Sequence, residues 1–310
     1  MKPYIKGVIS MKRTGIIGLG VISKYYKKGL EASSYLSLTA VCDINDNAVS
    51  RSLYFQYPFY TDYIQMIEKE NIEYVVISTE PSTHYTIAKS CLNHGVSVIV
   101  EKPAATHIKE YDELADIAME NGLVFEVMYH FQTAPEVLGF NKYFDSSRIS
   151  SANIEIYDPY SIDGKTIIGD RQCLCGAWLD SGVNALSMLK CWLPFEKVEL
   201  ISHNTNRCSD TSYPIFADVS LLIDGVKVNI KVNWQKQVNL KTATLVYDGN
   251  PMIINSTEQK IIYKDKEYNF ASMERLQAHY YNYFKIFKGE SKERNSRKIN
   301  ETLLFVNEKL

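Results

Sequence analysis

The stretch Gly15-Ile-Ile-Gly-Leu-Gly-Val-Ile-Ser23 decides the fold, because it joins a short apolar run to a glycine-rich turn. The turn fits the pattern G-x-G-x-x-G with a serine in the last position. In that pattern the first glycine permits the tight turn out of a strand. The second glycine lets the backbone approach a pyrophosphate at the N-terminus of the next helix. The motif therefore predicts a dinucleotide-binding loop made by Gly18, Gly20, Val21 and Ile22.

An acidic residue follows the loop at the distance that a dinucleotide requires. Asp43 ends the second apolar run, 23 positions after Gly20, where a carboxylate can bind both ribose hydroxyls of NAD. Because the same carboxylate would repel a 2′-phosphate, NAD is favoured as the cofactor and NADP stays open. A structural glycine turn followed by a helix-capping aspartate is the alternative interpretation.

The first half of the chain alternates short apolar runs with longer amphipathic segments. The runs are apolar at consecutive positions, which is typical of strands buried on both faces of a parallel sheet. Strands are predicted over Gly15–Leu19, Leu38–Cys42, Tyr74–Ser78, Val96–Val100 and Leu123–Val127. Helices are predicted over Pro81–Asn93 and His107–Glu120. This order indicates an α/β fold whose first domain is a doubly wound Rossmann domain with a parallel sheet.

After Pro135 the pattern changes to longer runs that alternate apolar and polar residues. Strands are predicted over Val219–Ile223, Val226–Trp234 and Thr242–Tyr247, and helices over Gly176–Trp192, Met273–Lys288 and Asn295–Lys309. The pattern predicts a C-terminal α+β domain with an open, mostly antiparallel sheet. We assign residues 1–130 to the dinucleotide-binding domain and residues 131–310 to a substrate-binding and oligomerisation domain. The cleft between the two domains is the expected site.

Composition and charge argue against several classes of protein. The 310 residues are 45% hydrophobic, and 34 basic against 36 acidic side chains give a net charge of −2. A nucleic-acid-binding domain is usually basic, and no apolar stretch reaches the roughly 18 residues that a membrane span needs. Six cysteines are too sparse for a disulfide scaffold, and Cys173-Leu-Cys175 has no second pair, so no metal site is predicted. Met1–Ser10 does not resemble a signal peptide, so we expect a cytoplasmic protein in which that segment is dispensable.

Two further motifs resemble those of the Gfo/Idh/MocA family of oxidoreductases. The first is Ser78-Thr-Glu-Pro-Ser-Thr-His84, followed after a helix-length stretch by Glu101-Lys-Pro103. In that family the lysine reaches the substrate hydroxyl and the nicotinamide, and the resemblance therefore implies a catalytic role for Lys102. It also implies cofactor contacts for Thr79, Glu80, Pro81, His84, Glu101 and Lys102. A solvated strand-end lysine and an ordinary helix-start histidine are the alternatives.

The second motif is Asp180-Ser-Gly-Val-Asn184, where the family has Asp-x-Gly-x-His. The resemblance implies that Asp180 and Asn184 are catalytic, and their i,i+4 spacing places them on one helix face. An amide cannot accept a proton at neutral pH. Either Lys102 or Asp180 takes the proton, or the protein has lost catalysis. We expect burial and a positive nicotinamide to lower the pKa of Lys102. A capping aspartate beside a packed asparagine is the alternative.

The asparagine form of the motif resembles the galactose and arabinose 1-dehydrogenase branch of the family. This resemblance implies substrate contacts for Asp158 and Trp234, while Tyr129 and His130 are expected at the rim of the cleft, Tyr129 as a substrate contact. A structural role is the alternative for each of them. The missing Trp-His-Pro-Gly stretch of that branch, replaced by Pro159-Tyr-Ser-Ile162, leaves the sugar open.

The function that these motifs predict is that of an NAD(P)-dependent dehydrogenase acting on a CH–OH group of a sugar or polyol. The most specific form of this prediction is the oxidation of an aldose at C1. One alternative is a dehydrogenase or reductase acting on a ring carbon of a nucleotide-linked sugar or inositol. Another is a non-catalytic NAD(P)-binding sensor. The expected partners are the small substrate and further copies of the chain in a homodimer or homotetramer, without nucleic acid or membrane.

Overall fold

The computed structural model describes residues 11–47, 51–167, 175–209, 211–290 and 293–310. Met1–Ser10 and Cys173 lie outside these ranges. Six strands form one parallel sheet in the order β3-β2-β1-β4-β5-β6. Their bounds are Lys12–Ile17 (β1), Leu36–Cys42 (β2), Phe59–Tyr60 (β3), Tyr74–Ile77 (β4), Ser97–Glu101 (β5) and Phe125–Met128 (β6). The predicted doubly wound parallel sheet is confirmed.

The parallel sheet is buried because helices cover it. Every residue of β4 and of β5 is buried, which agrees with their unbroken apolar sequence. The helices of this half are Ser23–Glu31 (α1), Tyr63–Glu70 (α2), Pro81–Asn93 (α3) and Ile108–Glu120 (α4). The strand order reverses between β1 and β4, and ligands of open α/β sheets bind in the crevice at that point, beyond the carboxyl ends of the strands.

A second sheet of eight strands has the order β10-β11-β12-β7-β13-β14-β15-β16, and β8 pairs with β9 separately. The bounds are Ile149–Tyr157 (β7), Ser161–Ile162 (β8), Lys165–Thr166 (β9), Val198–Arg207 (β10), Pro214–Ile223 (β11), Val226–Asn233 (β12), Leu240–Tyr247 (β13), Asn250–Asn255 (β14), Lys260–Tyr263 (β15) and Lys266–Asn269 (β16). All its pairs are antiparallel except β12 with β7. The predicted open, mostly antiparallel sheet is therefore confirmed.

One face of the second sheet is packed and the other is open. In β11 buried and half-buried residues alternate, as expected for a strand with one covered face. The remaining helices are Pro135–Tyr143 (α5), Val183–Leu189 (α6), Arg275–Ile286 (α7) and Glu293–Asn307 (α8). The helix predicted over Gly176–Trp192 is a π-helical turn over Trp178–Gly182 that continues into α6.

Helix α7 packs on α1 of the Rossmann domain, although it belongs to the C-terminal half of the chain. Tyr280 and Phe284 of α7 lie edge to face with Tyr26 of α1. Gly29 permits this approach, because a Cβ there would lie 2.5 Å from a ring carbon of Phe284. The boundary predicted at residue 130 thus separates the two sheets but leaves α7 within the core of the first domain.

Within the described ranges, every helix falls short of the length and hydrophobicity that crossing a membrane requires.

Candidate active site

A cavity of about 240 Å³ lies between the carboxyl edge of the parallel sheet and the second sheet. Its lining combines residues of both halves of the chain. They are Ile22, Thr79, Pro81, His84, Glu101, Lys102 and Pro103 from the first half, and His130, Phe131, Asp158, Tyr160, Asp180, Asn184, Lys241, Arg275, Leu276 and Tyr280 from the second. The position agrees with the cleft predicted between the domains.

The glycine loop between β1 and α1 has the shape that a pyrophosphate needs. Gly18 has φ +92°, and a Cβ there would lie 2.8 Å from the backbone of Ser78 and Thr79, so a side chain is excluded on both grounds. A Cβ at Gly20 would meet no described atom within 4 Å, which leaves room for a ligand against the backbone. Ile22 is the N-cap of α1 and makes no side-chain hydrogen bond to the helix. These features fit a dinucleotide phosphate at the helix N-terminus.

Asp43 stands beside this loop at the end of β2. Its Oδ2 accepts a 2.7 Å hydrogen bond from the backbone N–H of Leu19, and its Oδ1 accepts a 2.8 Å bond from the N–H of Asn45. Two neutral donors hold the carboxylate in place without cancelling its charge. The carboxylate therefore keeps lone pairs for a ribose diol and repels an added phosphate, as the sequence predicts.

Glu101 joins the cofactor loop to helix α7. It is 7% exposed, and its Oε1 accepts hydrogen bonds from the hydroxyl of Tyr26 (2.8 Å) and from that of Tyr280. Burial and the adjacent Glu101 carboxylate raise the pKa of both tyrosines well above their usual value, so both remain donors. Glu101 lines the cavity as expected, and its visible contacts fix α1 and α7 against the end of β5.

His84 connects the two turns that carry the first family motif. Its Nδ1 lies 2.8 Å from the carbonyl oxygen of Pro103, and its Nε2 lies 3.0 Å from that of Thr79. Burial lowers the pKa of His84 below its usual value. The neutral ring donates to one of these carbonyls, and it holds the turn after β4 beside the turn after β5.

Lys102 and Asp180 form a buried ion pair, which we call the Lys102 pair. The Nζ of Lys102 lies 2.7 Å from Oδ1 of Asp180 and donates a 2.8 Å hydrogen bond to the Asp180 carbonyl oxygen. Burial alone would lower the pKa of Lys102, but Asp180 and Glu101 outweigh it and the pKa is raised. The expected lowering of the Lys102 pKa was therefore wrong in direction. The neighbouring carboxylates of the chain keep Lys102 an ammonium ion.

Asn184 lies one helical turn after Asp180. Its Nδ2 donates a 3.3 Å hydrogen bond to the carbonyl oxygen of Asp180, the same atom that accepts from Lys102. The structure thus brings the three predicted catalytic residues to one oxygen atom at the cavity wall. Asp180 lies within the π-helical turn, and both its carboxylate and its carbonyl oxygen accept from Lys102.

A second buried ion pair, which we call the Lys241 pair, was missed by the sequence reasoning. Lys241 Nζ lies 2.7 Å from Oδ1 of Asp158 and donates further hydrogen bonds to the Tyr157 carbonyl (2.7 Å) and to Asn239 Oδ1 (3.2 Å). Burial lowers the pKa of Lys241. A signal was available, because the alternation of β13 places Lys241 on the inward face with Ala243, and a lysine on such a face needs a counterion.

The three predicted substrate contacts occupy different positions. Asp158 lines the cavity, with its Oδ2 accepting from Ser181 Oγ at 3.2 Å. Trp234 is buried behind the wall, and its Nε1 donates to the same serine oxygen at 3.4 Å. Tyr129 is buried outside the cavity lining, and its hydroxyl donates to the carbonyl oxygen of Ser296. Its neighbour His130 lines the cavity instead.

His130 forms a pair of imidazoles with His279 of α7. Their Nδ1 atoms lie 2.9 Å apart, so one ring donates and the other accepts. Burial, the neighbouring imidazole and the charge of Lys102 hold the pKa of His130 well below its usual value. His130 therefore offers a neutral hydrogen-bonding group to the cavity, and the positive charges around it disfavour its use as a base.

These features together define a two-domain dinucleotide-binding protein with an ionised lysine at the carboxyl edge of the parallel sheet. Residues 12–129 match the model of the oxidoreductase family with an NAD-binding Rossmann fold, GFO_IDH_MocA. The match is confined to the N-terminal domain, and it agrees with the resemblance of the motifs to the Gfo/Idh/MocA family.

Curated relatives match the chain over part of their length. An inositol 2-dehydrogenase/D-chiro-inositol 3-dehydrogenase of Lactiplantibacillus plantarum is 28% identical over 142 residues, which cover 44% of this chain and 41% of that protein. The UDP-N-acetylglucosamine 3-dehydrogenase of Acidithiobacillus ferrooxidans is 22% identical over 160 residues, covering 49% of this chain and 48% of that protein. The chain therefore spans less than half the length of these relatives in alignment.

Solved structures resemble the chain over nearly its whole length. The enzyme GnnA, the UDP-N-acetylglucosamine 3-dehydrogenase of A. ferrooxidans, superposes with a TM-score of 0.77 at 17% identity over 96% of this chain and 97% of that one. GenD2 from gentamicin A biosynthesis, in complex with NAD, superposes with a TM-score of 0.79 at 16% identity over 98% of this chain and 95% of that one. At such identities the likeness establishes the fold alone.

Proposed function

We propose that this protein is an NAD(P)-dependent oxidoreductase that transfers a hydride between a CH–OH carbon of a sugar or polyol and the nicotinamide. The observation that carries the proposal is the Lys102 pair, which places an ammonium group in a polar cavity adjoining the glycine loop. The bound nicotinamide supplies the hydride acceptor or donor at its C4 atom. The residues of the chain must bind the substrate oxygen and manage its proton.

Counting donors assigns the role of Lys102. An ammonium group has three N–H donors, and those of Lys102 reach two acceptors, the carboxylate and the carbonyl oxygen of Asp180. The third donor is left for the substrate oxygen. In the reducing direction Lys102 polarises the carbonyl oxygen through a hydrogen bond, and the carboxyl group of Asp180 supplies the proton, which is the reverse of the oxidation. In the oxidising direction Lys102 stabilises the negative charge that develops on the same oxygen, and the Asp180 carboxylate is the acceptor for the proton.

The size of the cavity supports a small substrate. At about 240 Å³ it is smaller than the roughly 300–1,000 Å³ that is usual for ligand pockets. A free monosaccharide or polyol suits this volume better than a nucleotide-linked sugar. We therefore propose a free aldose, oxidised at C1 to a lactone, as the first candidate substrate.

A ring carbon is the second candidate position of oxidation. The curated relatives named above are an inositol 2-dehydrogenase/D-chiro-inositol 3-dehydrogenase and a UDP-N-acetylglucosamine 3-dehydrogenase, whose names place their chemistry on ring carbons. Such a reaction yields a ketone, whereas oxidation at C1 yields a lactone, and the two products are separable by trapping with hydroxylamine.

The test is a scan for NADH formation over aldoses, inositols, other polyols and sugar acids, with NADP tested in parallel. Lys102→Ala purified in the same way is the matched control, because it removes the proposed donor and keeps any contaminating activity. Substrate-dependent NADH formation by the parent and its loss in the variant would support the proposal. NAD binding without turnover of any of these substrates would favour the sensor.

We also propose that copies of the chain associate through the open face of the second sheet. That face carries a row of amide and hydroxyl groups in which Asn229 accepts from Ser220 Oγ at 2.9 Å and donates to Asn153 Oδ1 at 3.3 Å. Light scattering after gel filtration tests this, because Asn229→Arg should shift a dimer or tetramer towards the monomer. A parent that elutes as a monomer would exclude it.

A further inference from the structure

One positive charge at the cavity has no counterion among the described residues. Arg275 lines the cavity from the first position of α7, and its guanidinium makes no hydrogen bond or ion pair there. The acid beside it in sequence, Glu274, is already used: it caps the helix by accepting from the N–H groups of Leu276 (3.1 Å) and Gln277 (2.9 Å).

The other two cations of the cavity are neutralised. Lys102 and Lys241 each contact an aspartate at 2.7 Å. The charge of Arg275 lowers the pKa of the buried Glu136 carboxyl, but burial outweighs this effect and raises that pKa to about 7. At neutral pH Glu136 is therefore only partly charged. The third carboxylate of the lining, Glu101, accepts from Tyr26 and Tyr280 and raises the pKa of Lys102, so it acts on the Lys102 side of the cavity. Arg275 has no ion-pair partner among the described residues, and its charge is one cause of the lowered pKa values of the buried His279 and His130.

The place of Arg275 in its helix gives no structural reason for the charge. A cation at a helix N-terminus meets the positive end of the helix dipole, which is unfavourable. An anion bound from the cavity side would gain a charge-assisted contact with the guanidinium.

We propose that Arg275 binds an anionic group of the substrate, a carboxylate or a phosphate monoester, so that the substrate is a sugar acid or a sugar phosphate. The inference rests on the proposed function, whose substrate class it narrows. A planar guanidinium binds either group through two parallel hydrogen bonds, which fixes the orientation of the sugar as well as its affinity.

The experiment compares matched substrates and matched variants. D-glucose, D-glucuronate and D-glucose 6-phosphate are titrated by calorimetry into the NAD-loaded protein, and steady-state kinetics follow wherever turnover occurs. The variants are Arg275→Gln and Arg275→Lys. Lys285→Gln, which removes an exposed charge from the same helix, is the control.

We expect the parent and Lys285→Gln to bind one of the anionic sugars more tightly than glucose. Arg275→Gln should weaken that binding by about 10- to 100-fold, the usual cost of a lost charge-assisted hydrogen bond, with a smaller loss in Arg275→Lys. Binding of glucose, which has no anionic group, should be weakened less than binding of the anionic sugar.

Equal affinity for neutral and anionic sugars, or a preference that survives Arg275→Gln, would overturn the proposal. So would a loss confined to NAD affinity, because the guanidinium would then serve the cofactor pyrophosphate. Calorimetry keeps the two proposals apart. Arginine-dependent anion binding without turnover supports the anion site and contradicts the dehydrogenase, whereas turnover without anion preference contradicts the anion site alone.

Discussion

Two lysine–aspartate pairs face the same cavity with the same spacing and have opposite properties. In each pair Nζ lies 2.7 Å from Oδ1, yet the pKa of Lys102 is raised and that of Lys241 is lowered. Burial lowers both pKa values, but Lys102 is also near Glu101, while Lys241 is near the positive Arg275. The pair distances are equal, so the charges around each pair decide which lysine has the higher pKa.

The pairs differ as well in the donors that they leave for a ligand. The three donors of Lys241 meet three acceptors, on Asp158, Tyr157 and Asn239. Those of Lys102 meet two acceptors, both on Asp180. By this count the Lys241 pair is a closed structural unit that fixes the cavity wall, and the Lys102 pair is open to a substrate. The following predictions test that division.

The largest effect on stability is expected at the Lys241 pair. Asp158→Ala leaves a lysine whose side chain is 5% exposed without its counterion, which should cost about 3–5 kcal/mol in the free energy of unfolding. Urea unfolding of the parent and the variant measures it. The double variant Asp158→Leu, Lys241→Met should recover most of the loss, because it removes the buried charge along with its partner. A loss below about 1 kcal/mol in Asp158→Ala would show that the pair is not a structural unit.

At the Lys102 pair the loss should fall on turnover. Lys102→Ala and Asp180→Ala should each lower kcat by about 100-fold or more, the lower bound for a positioned acid–base group, while NAD affinity changes little. Steady-state kinetics on the substrate found in the scan provides the measurement, with fluorescence titration of NAD beside it. If Lys102→Ala turns over as fast as the parent, the open pair is not the catalytic one.

The division between the pairs also shows what the sequence could and could not reveal. Lys102 and Asp180 were found because local motifs mark them, although 78 positions separate them in the chain. The helix over Pro81–Asn93 was predicted to the residue, since a proline begins it and its periodicity is local. Lys241 belongs to no motif. Only the register of β13 against β7 brings it to Asp158, and strand register is a long-range property.

The packing of α7 on α1 escaped the sequence for the same reason. The sequence predicts α7 as a separate helix. No local sequence pattern indicates that Tyr280 of α7 and Tyr26 of α1 both donate to the carboxylate of Glu101. Arg275, at the start of α7, reaches the cavity only because of this packing. Local motifs therefore marked one part of the site, and the remainder depends on the tertiary structure.

A third carboxylate provides a smaller contrast with the two pairs. Asp43 accepts hydrogen bonds from two backbone N–H groups and forms no ion pair with a lysine or arginine in the described part of the chain. NAD should bind more tightly than NADP, and Asp43→Ser should narrow the difference by about 1–3 kcal/mol, the repulsion between a carboxylate and a 2′-phosphate. Fluorescence titration of both cofactors against the parent and the variant measures the gap. An NADP affinity equal to that for NAD in the parent would contradict the assignment of Asp43.

The smallest effects are expected at the asparagine that accompanies each pair. Both polar atoms of the Asn239 side chain are engaged within the protein, because its Oδ1 accepts from Lys241 and its Nδ2 donates to Asp158 at 3.5 Å. Asn184 donates to the Asp180 carbonyl at 3.3 Å and lines the cavity, and the described residues offer its Oδ1 no donor. Its Oδ1 is therefore available to a substrate hydroxyl. Asn184→Leu should raise KM by about 2- to 10-fold, the cost of one neutral hydrogen bond, with kcat nearly unchanged.

Asn184→His distinguishes binding from acid–base chemistry at the same position. If Asp180 takes the proton in this chain, the histidine of the family motif is not needed for proton transfer. The turnover of Asn184→His should then stay within about 10-fold of the parent. Combined with Asp180→Ala, however, it should recover part of the lost kcat, because an imidazole can accept a proton and an amide cannot. This recovery of kcat should appear as the pH rises above the pKa of the histidine, because the ring is then neutral and can accept a proton. A double variant as inactive as Asp180→Ala at every pH would mean that Asp180 acts by orienting Lys102 and not as the base.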